Sequence, residues 1–286
     1  MRIFVLSDIH VDFAENAKWL DQISESEYTK DALILAGDVA HNFVVLQKTL
    51  VRLKTKFKIL FFVPGNHDLW VQDGDWPDSV AKFEAVQRWC SEMNIKMEAH
   101  KLGSPDAEPV WLVPLFSWYT NREEGADSLY LEKPGEDPEN RMWSDRFYIK
   151  WPYANNHFKP GAYFSSLNKT VITQAYDAPV ISFSHFLPRQ DAMFGSSRKP
   201  DPQKARKYDR NPKFNFSRVA GSSLIEQQIR KLNSKIHVYG HQHINRDRYL
   251  DGVRYVSHCL GYPKERKRGT IIGIENGIKL IWNTEE

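Results

Sequence analysis

Short apolar runs alternate with helical patterns in the first third of the chain. Three runs rich in Leu, Ile, Val and Phe have the composition of buried strands: Arg2–Leu6, Ala32–Ala36 and 58–63. Between and after them, three segments carry apolar residues at helical spacing: 14–24, 43–53 and 79–93. This alternation predicts βαβ units with right-handed crossovers, and therefore a parallel sheet within an α/β fold.

Polar residues follow each of these strands at once. Asp8, Asp38 and Asn66 stand where the first, second and third strands end. Because ligands of open α/β sheets bind just beyond the carboxyl ends of the strands, we expect these side chains to converge. The strand-end motifs are Asp8-Ile9-His10, Gly37-Asp38, Gly65-Asn66-His67-Asp68, Ser184-His185 and Gly240-His241-Gln242-His243.

The second half of the chain is less regular. Further strands are predicted at 110–115, 180–184 and Ile236–Tyr239, and a helix at 222–232. Two hairpins are also predicted, because turn dipeptides separate runs of strand-like composition. The first joins 246–250 to 253–257 through Asp251-Gly252, and the second joins 270–274 to 278–282 through Asn276-Gly277.

The segment 116–164 is loop-like and crowded with aromatic residues. It is either a cap that supplies substrate contacts over the site or a hydrophobic cluster that packs a long insertion. The segment 198–213 is basic and punctuated by proline, which predicts a surface loop. Because no repeat or linker divides the chain, we predict a single domain over 1–286 with 116–164 as an insertion.

Composition excludes several classes of protein. The formal net charge of +3 is too small to indicate a nucleic-acid-binding protein by itself. No continuous apolar run reaches the length of a membrane span, so no membrane association is expected. Cys90 and Cys259 are the only cysteines, which disfavours a disulfide framework and favours a reducing, cytoplasmic setting.

The strand-end motifs together supply carboxylates, one neutral amide and several imidazoles. A mixed set of oxygen and nitrogen donors suits Mn, Fe or Zn better than the all-oxygen sites of calcium or the thiolate sites of structural zinc. The motif residues therefore predict a transition-metal site at the strand ends.

The ordered set of five motifs resembles the calcineurin-like metallophosphoesterase superfamily over nearly the whole chain. That resemblance implies a four-layer αββα sandwich with two mixed sheets flanked by helices. It also implies two adjacent metal ions, divalent or trivalent, and hydrolysis of a phosphoester by a hydroxide that the two metals activate. By matching positions, Asp8, His10 and His243 are expected to bind one ion, Asn66, His185 and His241 the other, and Asp38 both.

Two further roles follow from the resemblance. His67 matches the family's non-ligand histidine beside the substrate, where it is expected to donate a proton to the leaving group, and Asp68 is expected to orient it. Asn66 and His67 are also expected to contact the substrate.

Three more residues are candidate substrate contacts. Arg146 and Arg189 are cations that could contact a phosphate, but their positions in the sequence do not by themselves point to the site. His258 lies in a stretch, 257–263, that resembles the Asn-Pro-Leu-Gly-Tyr-Pro pattern of one branch of the superfamily, with His-Cys in place of Asn-Pro. A hairpin exit packed on the core is an equally open interpretation of that stretch.

The residues directly after Gly37-Asp38 indicate which branches of the superfamily the chain resembles least. The chain continues Val-Ala-His and lacks the Val-Asp-Arg-Gly box of phosphoprotein phosphatases. We therefore expect a small phosphorylated, nucleotide-like substrate. Whether it is a phosphodiester or a phosphomonoester stays open. The alternatives are a nuclease or polynucleotide phosphatase, which is not favoured, and a catalytically inactive scaffold. The oligomeric state stays open.

Overall fold

The computed structural model describes residues 1–72, 74–103, 108–152, 158–194 and 211–285. The described part of the chain forms two mixed β-sheets with helices on their outer faces. The first sheet has the strand order β10-β1-β2-β3. Its strands are β1 (Arg2–Leu6), β2 (Ala32–Ala36), β3 (Ile59–Val63) and β10 (Lys279–Asn283). The first three strands are parallel, as the βαβ pattern predicts, and β10 is antiparallel to β1.

The second sheet has six strands in the order β4-β5-β6-β7-β9-β8. Strands β5, β6, β7 and β9 are parallel, and β4 and β8 pair antiparallel with the outer members. The strands are β4 (His100–Leu102), β5 (Val110–Pro114), β6 (Val180–Phe183), β7 (Ile236–Tyr239), β8 (Arg246–Leu250) and β9 (Val253–Ser257). The hairpin of β8 and β9 is the first of the two that the sequence predicts.

The two sheets pack face to face through alternate residues of their strands. Ile34 and Phe61 of the first sheet belong to the same buried cluster as Ile181 and Val238 of the second. The outer face of the first sheet packs against α1 (Ala14–Asp21), α2 (Phe43–Lys56) and α3 (Ser79–Glu92). The outer face of the second packs against α5 (Pro160–Leu167) and α7 (Ser223–Lys231). The result is the four-layer αββα sandwich.

The second predicted hairpin is wrong. Within 270–283 only Lys279–Asn283 is a strand, and it pairs with β1 rather than with its sequence neighbour. No strand forms at 270–274, and a short 3-10 helix, Ile274–Asn276, covers the end of that run and the start of the predicted turn. Pairing with β1 buries Ile281 in the cluster between the sheets, which a local surface hairpin would not do.

The aromatic segment 116–164 is not a loop throughout. It contains α4 (Asp145–Tyr148) and the first half of α5, and two more short helices follow later, α6 (Lys169–Thr173) and α8 (Pro263–Lys267). Trp118 and Phe164 lie in the buried cluster of the second sheet, which matches the hydrophobic-cluster interpretation for this part. Tyr153 and most of the basic segment, 198–210, lie outside the described residues. No helix within the described ranges is long and apolar enough to cross a membrane.

Candidate metal centre

The backbone is left-handed at most of the expected metal ligands. Such a conformation costs an L-residue other than glycine ~1–2 kcal/mol and is concentrated at functional sites. It turns the chain sharply where a strand ends, so that residues two apart in sequence can both face one point. The φ angles are 50° at Asp8, 39° at His10, 56° at Asp38, 73° at His241 and 54° at His243.

The first candidate metal position lies between Asp8, His10 and His243. The Nε2 atoms of His10 and His243 are 3.0 Å apart, and Oδ1 of Asp8 is 3.5 Å from Nε2 of His243. Donor atoms of all three lie within 4.8 Å of one another. All three follow β1 or β7, which belong to different sheets.

The second candidate position lies between Asn66, His185 and His241. Oδ1 of Asn66 is 3.2 Å from Nε2 of His185, and that atom is 3.2 Å from Nδ1 of His241. These residues follow β3, β6 and β7. Asp38, at the end of β2, stands between the two positions: its Oδ2 is 3.5 Å from Nε2 of His185 and 3.9 Å from Nε2 of His10.

Two imidazoles are fixed by contacts of the ring nitrogen that faces away from the cluster. His185 Nδ1 lies 2.9 Å from the carbonyl oxygen of Ala36, and His241 Nε2 lies 2.9 Å from that of Val219. Because a carbonyl only accepts, each outer nitrogen carries a proton, so the inner nitrogen is the one that can give a lone pair to a cation. The residues present therefore fit two metal ions.

Electrostatics inside the metal-free cluster also favour cations. Burial alone would lower the pKa of His243, but hydrogen bonds to Asp8 and Glu265 raise it to about 10. Burial likewise opposes protonation of His185, and the charge of Asp38 raises the pKa to about 9. Each half of the cluster thus holds a carboxylate that attracts positive charge. Burial lowers the pKa of His241 to about 3 and that of His67 to about 4, so those rings are neutral in the metal-free cluster.

Two glycines allow the ligands to approach closely. A Cβ added to Gly65 would overlap Oδ1 of Asp38 and lie 2.7 Å from Cε1 of His185. A Cβ added to Gly240 would lie 2.6 Å from Oδ2 of Asp8. The glycine that precedes Asn66 and the one that precedes His241 are therefore required by the packing of the centre.

His67 lies at the edge of the centre, and its backbone N–H donates to Oδ1 of Asp38 over 2.9 Å. Its Nε2 is 4.0 Å from Oδ2 of Asp38. The ring stacks on Trp70 with centroids 3.7 Å apart, and Nε2 lies 3.3 Å from the hydroxyl of Tyr262. The sequence motifs did not indicate either aromatic partner, although Tyr262 belongs to the same stretch, 257–263, as His258.

Asp68 does not orient the His67 ring as expected. Its buried carboxylate accepts backbone N–H bonds of 2.8–3.1 Å from Asp38, Val39, Ala40 and Gly65. In the described structure no hydrogen bond joins its carboxylate to the ring of His67. Asp68 therefore holds together the loops that follow β2 and β3, and it acts on the shape of the centre rather than on one histidine.

Asp145, from the aromatic segment, is buried beside the second metal position. Its Oδ1 accepts hydrogen bonds from Nδ2 of Asn66 at 2.8 Å and from Nε1 of Trp70 at 2.7 Å. Its Oδ2 accepts from Nε1 of Trp143 at 2.9 Å. Burial raises the pKa of Asp145 to about 6, against the opposing effect of these hydrogen bonds. No motif in the sequence pointed to this residue.

The three expected substrate contacts outside the motifs lie in three different environments. Arg146 pairs with Glu139 at 3.3 Å and lines a cavity beside the centre. Arg189 is bound by three carboxylates, those of Asp191, Glu226 and Asp251, so its charge is already neutralised. His258 is buried with Nε2 2.7 Å from the carbonyl oxygen of Gly277, and its described contacts do not include a metal ligand.

Comparisons with known proteins agree with this architecture. A family model described as calcineurin-like phosphoesterase matches residues 1–245. The curated [acyl-carrier-protein] phosphodiesterase PptH of Mycobacterium tuberculosis is 28% identical over 284 residues, covering 93% of this chain and 79% of that protein. The crystal structure of phosphopantetheinyl hydrolase (PptH) from Mycobacterium tuberculosis superposes with a TM-score of 0.72 at 23% identity, covering 98% of this chain and 95% of that one. This last likeness shows a shared fold.

Proposed function

The chain belongs to the calcineurin-like phosphoesterase family and is a hydrolase of phosphoric ester bonds; from this premise we propose that it cleaves the phosphodiester that links a phosphopantetheinyl group to acyl carrier protein. The curated relative named for an acyl-carrier-protein phosphodiesterase supports this substrate, since the match extends over most of both chains. The proposal selects a diester over a monoester.

One observation carries the chemistry. The Oδ2 atom of Asp38 lies 3.5 Å from His185 Nε2 and 3.9 Å from His10 Nε2, between two sets of converging donors. A single carboxylate in that place can hold two cations and offset their mutual repulsion. Two ions bound there would supply positive charge to activate a water and to neutralise the phosphoryl oxygens.

The chain's own side chains do the rest. Asp8 and Asp38 bring two negative charges, and Asn66 adds a neutral oxygen, so the net charge of the loaded site stays positive enough to attract a phosphodiester. His67 presents Nε2 at the edge of the centre, where an anionic phosphoryl group beside the ring favours its protonated form. We propose that it contacts a phosphoryl oxygen there and donates a proton to the leaving oxygen. Tyr262 and Trp70 hold its ring in place.

We propose Mn, Fe or Zn as the bound metals, because imidazole nitrogens and carboxylate oxygens together suit these ions. We also propose a cytoplasmic setting, which Cys90 and Cys259 support because both are buried and unpaired. A scaffold without activity is not favoured, because all seven expected ligand positions are filled and converge. No described contact favours a nuclease.

The test is direct hydrolysis of holo-acyl carrier protein by the full chain loaded with Mn²⁺, followed by mass spectrometry of the carrier protein. We expect the carrier protein to lose the mass of phosphopantetheine less one water, and the Asp38→Asn variant to lose this activity. Bis-p-nitrophenyl phosphate and a single-stranded oligonucleotide serve as comparison substrates. Turnover of either comparison substrate with an unchanged carrier protein would contradict the proposal.

A further inference from the structure

A cavity of about 380 Å³ opens beside the second metal position. We call it the Asn140 cavity, and its walls include Asn140, Trp143, Asp145, Arg146, Arg218 and Val219. Three of these residues also touch the metal centre. Asp145 binds the side chain of Asn66, the carbonyl of Val219 accepts from His241, and the Trp143 ring lies 5.6 Å from the ring of His241.

Buried polar atoms in this cavity have no partner. Asn140 is only 7% exposed, yet neither its Nδ2 nor its Oδ1 has a hydrogen-bond partner within the part of the chain that the structure describes. The same holds for Nε of Arg218, a residue 6% exposed. Leaving such a group unpaired costs ~1–3 kcal/mol, so native proteins pair nearly all of them with protein, water or ligand. The cavity wall therefore holds two donors and one acceptor, which a turn of these side chains would bring to an occupant.

Most charged groups around the cavity already have a partner. Arg122, which also lines the cavity, lies over the ring of Tyr130 with Cζ 4.6 Å from the ring centroid. Arg146 pairs with Glu139 at 3.3 Å, and Arg218 pairs with Glu136 at 2.8 Å. The remaining wall includes the apolar faces of Trp143, Ile149 and Trp151. A second phosphate or other charged group would therefore gain little here. A neutral chain with amide groups and aliphatic carbons fits both the unpaired polar atoms and the apolar wall.

We infer that the Asn140 cavity binds the pantetheine arm of the substrate while the adjacent phosphodiester sits at the metal centre. The arm is uncharged and carries two amides and two methyl groups on one carbon. Oδ1 of Asn140 accepts an amide N–H, and Nδ2 of Asn140 and Nε of Arg218 donate to amide carbonyls. This inference rests on the proposed function and adds the residues that select the substrate.

The backbone at Asn140 decides which variants are informative. Its φ is 47°, so a substitution by alanine would add strain as well as remove the amide. Asn140→Gly removes the side chain and keeps the backbone relaxed, and Asn140→Asp keeps the shape but loses the donor. Asn94 has a φ of 53° and is exposed, so Asn94→Gly is the matched control.

The experiment compares kcat/KM for holo-acyl carrier protein with kcat/KM for bis-p-nitrophenyl phosphate, which has no amide. The full chain is loaded with Mn²⁺ throughout. We expect the ratio to fall about tenfold in both Asn140 variants, mainly through KM for the carrier protein, and to stay constant in Asn94→Gly. Calorimetric titration with pantetheine, which has no phosphate for the metals, should show a similar loss of affinity in Asn140→Gly.

The outcomes separate the two claims. A parent enzyme that cleaves holo-acyl carrier protein, with an unchanged ratio and unchanged pantetheine binding in both Asn140 variants, overturns the inference alone. A parent enzyme that cleaves bis-p-nitrophenyl phosphate but not the carrier protein overturns the proposed function and this inference with it.

Discussion

Asn66 donates its side-chain nitrogen to Oδ1 of Asp145 over 2.8 Å, across 79 residues of chain. A carboxylate only accepts hydrogen bonds, so this contact forces the nitrogen of Asn66 outward and its oxygen toward His185. Without Asp145, the amide of Asn66 could rotate and present N–H groups to a cation. The aromatic segment 116–164 thus sets the donor atom of a residue in the metal centre.

Replacing Asp145 with asparagine should weaken the second metal position. One oxygen becomes an NH₂ group, so at least one of the donors from Asn66, Trp70 and Trp143 loses its acceptor. Changes of this kind in outer contacts typically cost ~10–100-fold in metal affinity. Calorimetric titration of the metal-free protein with Mn²⁺ should show the loss in one binding step and leave the other step close to that of the parent.

Asp177→Asn is the matched control for Asp145→Asn. Asp177 also accepts an indole N–H, from Trp111 at 2.9 Å, but its side chain is 70% exposed. We expect its replacement to leave both binding steps unchanged. Equal effects of the two substitutions would mean that Asp145 has no particular role at the centre.

His241 and His243 should serve different ions although they are two residues apart. His241→Ala removes a donor that faces His185, and His243→Ala removes one that faces His10. We expect each variant to lose mainly one ion and to keep the other partly occupied. Metal analysis after dialysis against Mn²⁺ gives the count, and His100→Ala, on an edge strand, is the control. Loss of both ions to the same extent in both variants would contradict the assignment of the two histidines to different ions.

Gly65→Ala should disrupt the centre although it replaces none of the expected metal-binding residues. The added methyl group would overlap Asp38 and His185, which are packed on two sides and cannot both move away. We expect loss of the second ion and of phosphodiesterase activity. Gly269→Ala is the comparison, because it adds a methyl group in open space and brings only backbone strain at φ 68°. Normal metal content in Gly65→Ala would show that the ligands tolerate the displacement.

Tyr262→Phe should affect turnover more than metal binding. The hydroxyl of Tyr262 lies 3.3 Å from Nε2 of His67, and its loss removes about one hydrogen bond from the proposed proton donor. At ~1 kcal/mol, that corresponds to a fall in kcat of about fivefold. Steady-state kinetics on holo-acyl carrier protein, whose alkoxide leaving group needs a proton, provide the measurement, with the exposed Tyr249→Phe as control. A normal kcat in Tyr262→Phe would remove the hydroxyl from the mechanism.

The strand ends could be predicted from the sequence because each is marked by a local change from apolar to polar residues. Apolar runs end two or three residues before Asp8, Asp38 and Asn66, and parallel pairing then brings the carboxyl ends of the strands to one edge. The left-handed backbone that turns both His241 and His243 toward the centre has no such signature, because histidine is an ordinary strand and loop residue.

Long-range partners could not be predicted. Asp145 lies in a segment without periodicity, and only the fold brings it to Asn66. β10 can pair with β1 only because the other strands leave one edge of β1 open, and the sequence does not reveal this. His237 has the sequence context of an ordinary, partly exposed histidine, yet it is fully buried between the hydroxyls of Ser182 and Ser184, at 2.8 and 3.0 Å. Tyr255, beside His237, belongs to the cluster on the outer face of the second sheet, so this burial is decided by packing against distant elements of the fold.

The shared carboxylate of Asp38 is the central claim, and electron paramagnetic resonance of the Mn²⁺-loaded chain tests it most directly. Two ions held by one carboxylate lie close enough for their unpaired electrons to couple. We expect two Mn²⁺ ions per chain with the spectrum of a coupled pair, and loss of the coupling in Asp38→Asn. One ion per chain, or two ions with the spectra of isolated Mn²⁺, would contradict a binuclear centre.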